Sequence, residues 1–100
     1  MLEKTVEARL RRLVRERLGG RAYKFESPGT AGMPDRLVCL PGGRVVFVET
    51  KQPGKTPRPL QKKRHAELRE LGCEVWGCID TPEKVDKFIA DILRGGSHEV

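Results

Sequence analysis

Aromatic side chains are scarce in this sequence: Phe, Trp and Tyr make up 5% of its 100 residues. Apolar residues reach 37% and charged residues 34%, the balance of a globular protein with a heavily charged surface. Cysteine is also sparse. Cys39, Cys73 and Cys78 are odd in number, form no CxxC, and each lies in or beside an apolar segment. That excludes a disulfide framework and reads as buried, reduced thiols. The histidines, His65 and His98, lack the paired spacing a zinc site needs. No apolar run approaches the ~18 residues of a membrane span. The first residues carry no apolar core of a signal peptide, so a cytoplasmic protein is expected. The length suits a single domain with one modest core.

Acidic residues are missing from one stretch in particular. Lys51, Lys55, Arg58, Lys62, Lys63 and Arg64 follow one another with no Asp or Glu between them. The net charge is +6, and without those six residues the remaining basic residues equal the 14 acidic ones. The whole excess charge therefore sits in one place. Such a patch suits a polyanion, most simply nucleic acid, although a solvated helix face gives the same pattern.

Leu2, Val6, Leu10, Leu13, Val14 and Leu18 recur at helical spacing and predict a helix over 3–18, stopped by Gly19-Gly20. Glu7 lies at the border of that apolar stripe. Residues 22–26 alternate as a strand, and 27–34 form a Gly- and Pro-rich loop. Two β-rich runs, 36–40 and 45–48, are joined by a turn at Pro41-Gly42-Gly43-Arg44. A loop with three prolines covers 52–59, a helix covers 60–71, and 74–79 is a fourth strand. Asp80-Thr81-Pro82-Glu83 starts a last helix, with Asp80 read as its cap and Val85, Phe88, Ile89, Ile92 and Leu93 as its inner face. The order is α-β-β-β-α-β-α, an α/β domain over 1–94 with a loose tail over 95–100.

The turn at Gly42-Gly43 pairs two strands antiparallel. Asp35, ahead of the first, then lies beside Glu49 at the end of the second. Carboxylate oxygens are the ligands that Mg²⁺ prefers. Glu49 and Lys51 share a face because side chains alternate in a strand, and Thr50 can add its backbone carbonyl. Two carboxylates and one ammonium at a sheet edge suit a divalent cation and a phosphodiester. Each part alone is an ordinary turn signal or surface ion pair. The combination is more specific, because register and topology must both agree.

Gly32-Met33-Pro34-Asp35, Val46-Phe47-Val48-Glu49-Thr50-Lys51, and Leu60-Gln61 opening a basic helix resemble the VRR-NUC family of the PD-(D/E)XK nuclease superfamily. Gly72-Cys73-Glu74-Val75-Trp76 resembles the family's next segment, so the resemblance covers nearly the whole chain. It implies a restriction-endonuclease-like fold with a mixed central sheet flanked by helices. It also implies that Glu7, Asp35 and Glu49 hold Mg²⁺ or Mn²⁺ and that Lys51 is the catalytic lysine. Gln61 then supports the site or touches substrate; by itself it reads as a helix N-terminal residue satisfying its own backbone. Lys55, Arg58, Lys62, Lys63 and Arg64 become DNA contacts, with solvation the plain alternative for each. Larger members attach DNA-binding modules, whereas this chain is expected to carry the nuclease domain alone. Standalone members, mostly from phages, act as homodimers on branched DNA such as four-way junctions. That implies the same partner and assembly here, in a bacterial or phage-infected cell.

Two other functions fit parts of the sequence. Gly54-Lys55-Thr56 looks like the end of a P-loop, but the glycine required five positions earlier is Glu49, and Pro57 and Pro59 obstruct the following helix. No nucleotide cofactor is expected. A non-catalytic nucleic-acid-binding module could use the same basic patch; Glu49→Gln and Lys51→Ala would then change nothing.

Overall fold

Val6, Leu10 and Val14 are completely buried along one stripe of the first helix, α1 (Glu3–Leu18), and Leu13 nearly so. The stripe needs an apolar surface to cover, and a four-stranded sheet supplies it. The computed structural model describes residues 3–95. After α1 come β1 (Arg21–Lys24), β2 (Arg36–Cys39), β3 (Val45–Thr50), α2 (Pro59–Glu70), β4 (Glu74–Ile79) and α3 (Pro82–Leu93). The strands lie in the order β1-β2-β3-β4. β1, β2 and β3 pair antiparallel, and β4 runs parallel to β3. The α-β-β-β-α-β-α order and mixed sheet are those expected. Leu2 and residues 96–100, including His98 and most of the expected tail, lie outside the described residues.

Val38, Val46, Val48, Trp76 and Ile79 form the apolar face of the sheet. α1 and α3 cover it together, and α3 contributes Val85, Phe88 and Ile89. Trp76 meets Phe88 edge to face at 5.2 Å, the arrangement aromatic quadrupoles favour. Trp76 is thus a core residue rather than an exposed one. Side chains alternate along β4, so Val75 and Gly77 turn to the opposite face, where α2 packs. Of the α2 residues, Gln61 and His65 are buried. One face is therefore closed by hydrocarbon, while α2 lays the polar Gln61 and His65 over the other beside the buried Val75.

The β2–β3 connection is one 3₁₀ turn, Pro41–Gly43. The Leu40 N–H donates to the Arg44 carbonyl at 2.8 Å, and both Gly42 and Gly43 have φ of +86°, where a Cβ would be strained. β1 ends at Lys24, two residues sooner than expected. The Phe25 N–H donates instead to the Asp35 carbonyl at 2.8 Å, and its ring meets Phe47 edge-on at 5.8 Å. α3 is capped by Thr81, not by Asp80: the Thr81 hydroxyl accepts the Lys84 N–H at 3.1 Å. Asp80 is used elsewhere, as described below.

β3 and β4 fall out of step next to the proposed chemistry. Val48 pairs with Trp76, but Thr50 pairs with Ile79, so β4 carries one more residue than β3 between these pairs. Gly77 and Cys78 form a bulge opposite Glu49. Bulges of this kind re-aim side chains next to functional sites.

Candidate active site

The register of the β2–β3 pair places Arg36 opposite Val48, so Asp35 and Glu49 come next on their strands. Asp35 is not a loose surface acid. One carboxylate oxygen accepts the Thr50 N–H at 2.7 Å and the other accepts the Thr50 hydroxyl. Thr50 is buried, and its N–H and hydroxyl fix Asp35 against the end of β3.

Glu49 points to the α2 face and is 3% exposed. A carboxylate that deep needs donors. Gln61 Nε2 donates to Oε2 at 3.4 Å, and the Lys51 ammonium lies 3.8 Å from the same oxygen. His65 Nε2 lies 3.4 Å from Oε1 without making an aligned hydrogen bond, so each of these two buried atoms is left without one. Lys51 is itself half-buried, and its N–H donates to the Ile79 carbonyl at 2.9 Å. The strand thus carries its lysine one step past the end of β3.

Gln61 serves two masters. Its Oε1 accepts the Arg58 N–H at 2.8 Å, closing the first turn of α2, while its Nε2 reaches Glu49. One side chain thus closes the helix start and contacts Glu49. Glu7 pairs with Arg36, which is buried and also donates to the Ala22 carbonyl at 3.3 Å. Arg36 shares its strand face with Val38, toward α1, so Glu7 is held there. Among the described residues no three His, Cys, Asp or Glu side chains gather closely enough to hold a metal ion. Asp35 is bonded to Thr50, the residue after Glu49, whereas Glu7 is paired with Arg36.

The basic stretch divides in two. Lys55, Arg58, Lys62 and Lys63 are exposed. Arg64 instead fastens the loop ahead of Asp35: its Nε donates to the Ala31 carbonyl at 2.8 Å, and it pairs with Glu67 at 2.9 Å. The loop packs so closely there that a Cβ on Gly32, at φ +86°, would lie 2.8 Å from the Leu60 carbonyl. The Lys55 loop is held from the other side. Asp80 accepts the Gly54 N–H at 3.1 Å and pairs with Lys84 at 2.8 Å. Burial pushes the Asp80 carboxyl up, but its hydrogen bonds to Lys84 and Gly54 outweigh that and hold it below the ordinary range. Lys84 is raised by the same pair. Burial pushes the Cys78 thiol up, which keeps it neutral.

His65, Arg36 and Asp80 are the residues whose parts the sequence left unread. His65 had a signal, since it falls one helical turn after Gln61 on the inner side of α2. Arg36 shares its strand phase with Val38, which marks it as inward. Asp80 looked like a helix cap, and nothing local to it points to Gly54.

No family model matches the chain. It is 52% identical over 73 residues to a curated protein named "Putative nuclease p44" from Acyrthosiphon pisum secondary endosymbiont phage 1, covering 73% of this chain and 77% of that protein. Its fold superposes on a solved structure described as a VRR_NUC domain with a TM-score of 0.80 at 35% identity, covering 88% of this chain and 94% of the other. With identity and coverage this high in both comparisons, the chain belongs to the VRR-NUC family of nucleases.

Proposed function

We propose that this protein is a Mg²⁺- or Mn²⁺-dependent endonuclease that hydrolyses phosphodiester bonds in DNA. Its preferred substrate is branched DNA such as a four-way junction, and it works as a homodimer in a bacterial or phage-infected cell. One observation carries the reading: Glu49 is buried at a strand end beside Lys51, with one oxygen lacking a hydrogen-bond partner. A carboxylate in that state has coordination capacity left over, and hard oxygen donors suit Mg²⁺. Mg²⁺ commonly takes one or two carboxylates, keeps several waters and shares substrate phosphates, so two adjoining acids suffice. Asp35 and Glu49 would hold the ion, with the Thr50 carbonyl as a further oxygen. Glu7, the third acid that the resemblance implies, is paired with Arg36 and would have to leave it to reach the ion.

A bound divalent cation supplies Lewis acidity and a more acidic water. The chain's own groups do the rest. Lys51 stabilises negative charge developing on the attacked phosphate, and its pairing with Glu49 keeps the ammonium aimed. Gln61 holds Glu49 in place while closing α2, so the helix start and the carboxylate are set together. Lys55, Arg58, Lys62 and Lys63 bind the DNA backbone, which makes affinity fall steeply with salt. Arg64 shapes the loop that leads to Asp35.

The test is a cleavage panel of four-way junction, flap, duplex and single-stranded DNA in Mg²⁺, Mn²⁺ and EDTA, with wild type beside Lys51→Ala. Cutting should need the metal, favour the junction and vanish in the variant. Equal cutting by Lys51→Ala would sink the mechanism, and equal cutting of all four substrates would sink the selectivity.

A further inference from the structure

Across the free edge of β4, between α2 and α3, lies a cavity of about 540 Å³ whose lining shares only Lys62 with the residues given a role in the proposed chemistry above. Lys62 and Arg69 of α2 and Lys84 and Lys87 of α3 line it, and no carboxylate among the described residues does. Arg69 donates to the Val75 carbonyl at 3.1 Å, which holds its guanidinium over the strand edge. Lys84 leans on Asp80, outside the lining. Lys62 and Lys87 are exposed and make no ion pair among the described residues. With Lys84 balanced by Asp80, Lys62 and Lys87 bring positive charge to one space, which suits an anion.

The remaining wall is not what a bare phosphate needs. Trp76 and Pro57 give it an aromatic and apolar side. The volume falls in the range of small-molecule sites, roughly 300–1,000 Å³, rather than that of a duplex groove. A phosphate joined to a flat, partly apolar group matches both halves. The position completes the case. His65 is part of the cavity lining, and its Nε2 lies 3.4 Å from Glu49 Oε1. The cavity and the carboxylate are thus one imidazole ring apart. Gly77, in the bulge, keeps that wall open, since a Cβ there would lie 3.1 Å from both His65 Nδ1 and Arg69 Nη2.

We infer that this cavity receives a single unpaired DNA nucleotide next to the cut, its phosphate among Lys62, Arg69 and Lys87 and its base toward Trp76 and Pro57. The inference rests on the nuclease reading and gives it a substrate class. A paired base must leave its stack to enter such a pocket, while a base already unpaired enters freely. DNA with an unpaired nucleotide at the cleavage point is therefore preferred to an intact duplex.

Trp76 is the sole tryptophan of the chain, so its fluorescence reports on the cavity directly. Thymidine 5′-monophosphate is titrated into the protein in EDTA, where no cleavage occurs. A saturable change that weakens with added salt is expected. Thymidine and inorganic phosphate should each bind at least tenfold more weakly, and the Lys62→Ala/Lys87→Ala double variant should lose at least tenfold in affinity for the nucleotide. No saturable change, phosphate binding as tightly as the nucleotide, or a double variant equal to wild type would each overturn the inference. A second arm measures Mg²⁺-dependent cutting of duplexes with and without one unpaired nucleotide. Lys87→Ala, which lies outside the DNA contacts named above, should raise KM for the first and leave KM for the second unchanged. If wild type cuts DNA but ignores the nucleotide, the cavity assignment fails and the nuclease reading stands. If the nucleotide binds and no DNA is cut, the nuclease reading fails, and placement beside a cut fails with it.

Discussion

The two faces of the sheet are built on opposite terms. On one, α1 and α3 bury Val6, Leu10, Val14, Val85, Phe88 and Ile89 against Val38, Val46 and Val48. On the other, α2 buries Gln61 and His65 over Glu49. The first face stabilises by removing hydrocarbon from water. The second keeps a carboxylate, an imidazole and an amide nearly dry, an arrangement that costs stability unless every group is paired. Here one Glu49 oxygen and one His65 nitrogen lack hydrogen bonds. Hydrocarbon packing is thus concentrated on one side of four strands and the proposed site lies on the other.

The largest expected effect tests the apolar face. Phe88→Ala removes a fully buried ring that packs on Trp76 and should cost about 3–5 kcal/mol in urea denaturation. Cleavage per folded molecule should be nearly unchanged. A loss of less than about 1 kcal/mol would mean that α3 does not anchor the core.

Next comes the polar face. Glu49→Gln should lower the cleavage rate about 10³-fold, the scale set by losing a key electrostatic group. Its stability should hold or rise, because a buried charge is removed and reactive sites are commonly strained against stability. Urea midpoints of wild type and variant decide it. A variant that cuts normally and unfolds easily would make Glu49 a structural residue and erase the contrast between the faces.

This contrast also explains what could be read from the sequence. α1 and α3 declare themselves by apolar periodicity, and the strands declare themselves as β-rich runs separated by glycine and proline. The Asp35–Glu49 adjacency follows from a hairpin whose register the Gly42-Gly43 turn fixes. What stayed hidden depends on long-range partners. Glu7 lies on the expected stripe border, but that Arg36 occupies it depends on β2 packing beneath α1. The cap of α3 went to Thr81 because Asp80 is drawn to the Gly54 N–H, 26 residues away. The β4 bulge has only Gly77 as a local sign, and an isolated glycine in a strand is weak notice of a register shift.

A smaller effect separates the two jobs of Gln61. Gln61→Ala removes both the Arg58 N–H acceptor and the Glu49 donor. Gln61→Glu keeps the acceptor but sets a second carboxylate against Glu49. Both variants should cut about tenfold more slowly, the cost of one hydrogen bond to a charged group. Gln61→Ala should also lose about 1 kcal/mol of stability at the helix start, which Gln61→Glu should largely restore. If Gln61→Glu cut as well as wild type, the contact to Glu49 would carry no chemical weight.

The smallest effect concerns the clamp that ties the basic loop to α3, and it has a pH signature. Asp80 is held below the ordinary carboxylate range by Lys84 and Gly54, so its contribution is fully present above that range. It is lost as the pH falls through the depressed value, where the folded protein also takes up the proton. Lys84 is raised, so the pair weakens at the alkaline end only when the pH passes through that raised value. Asp80→Asn should therefore cost about 1 kcal/mol at neutral pH and nothing at strongly acid pH, where wild type has lost the same interaction. Urea midpoints of the two proteins, measured from neutral to acid pH, should converge as the pH falls. A gap that stayed constant would show that the cost of the substitution comes from the amide itself, with the carboxylate's charge playing no part.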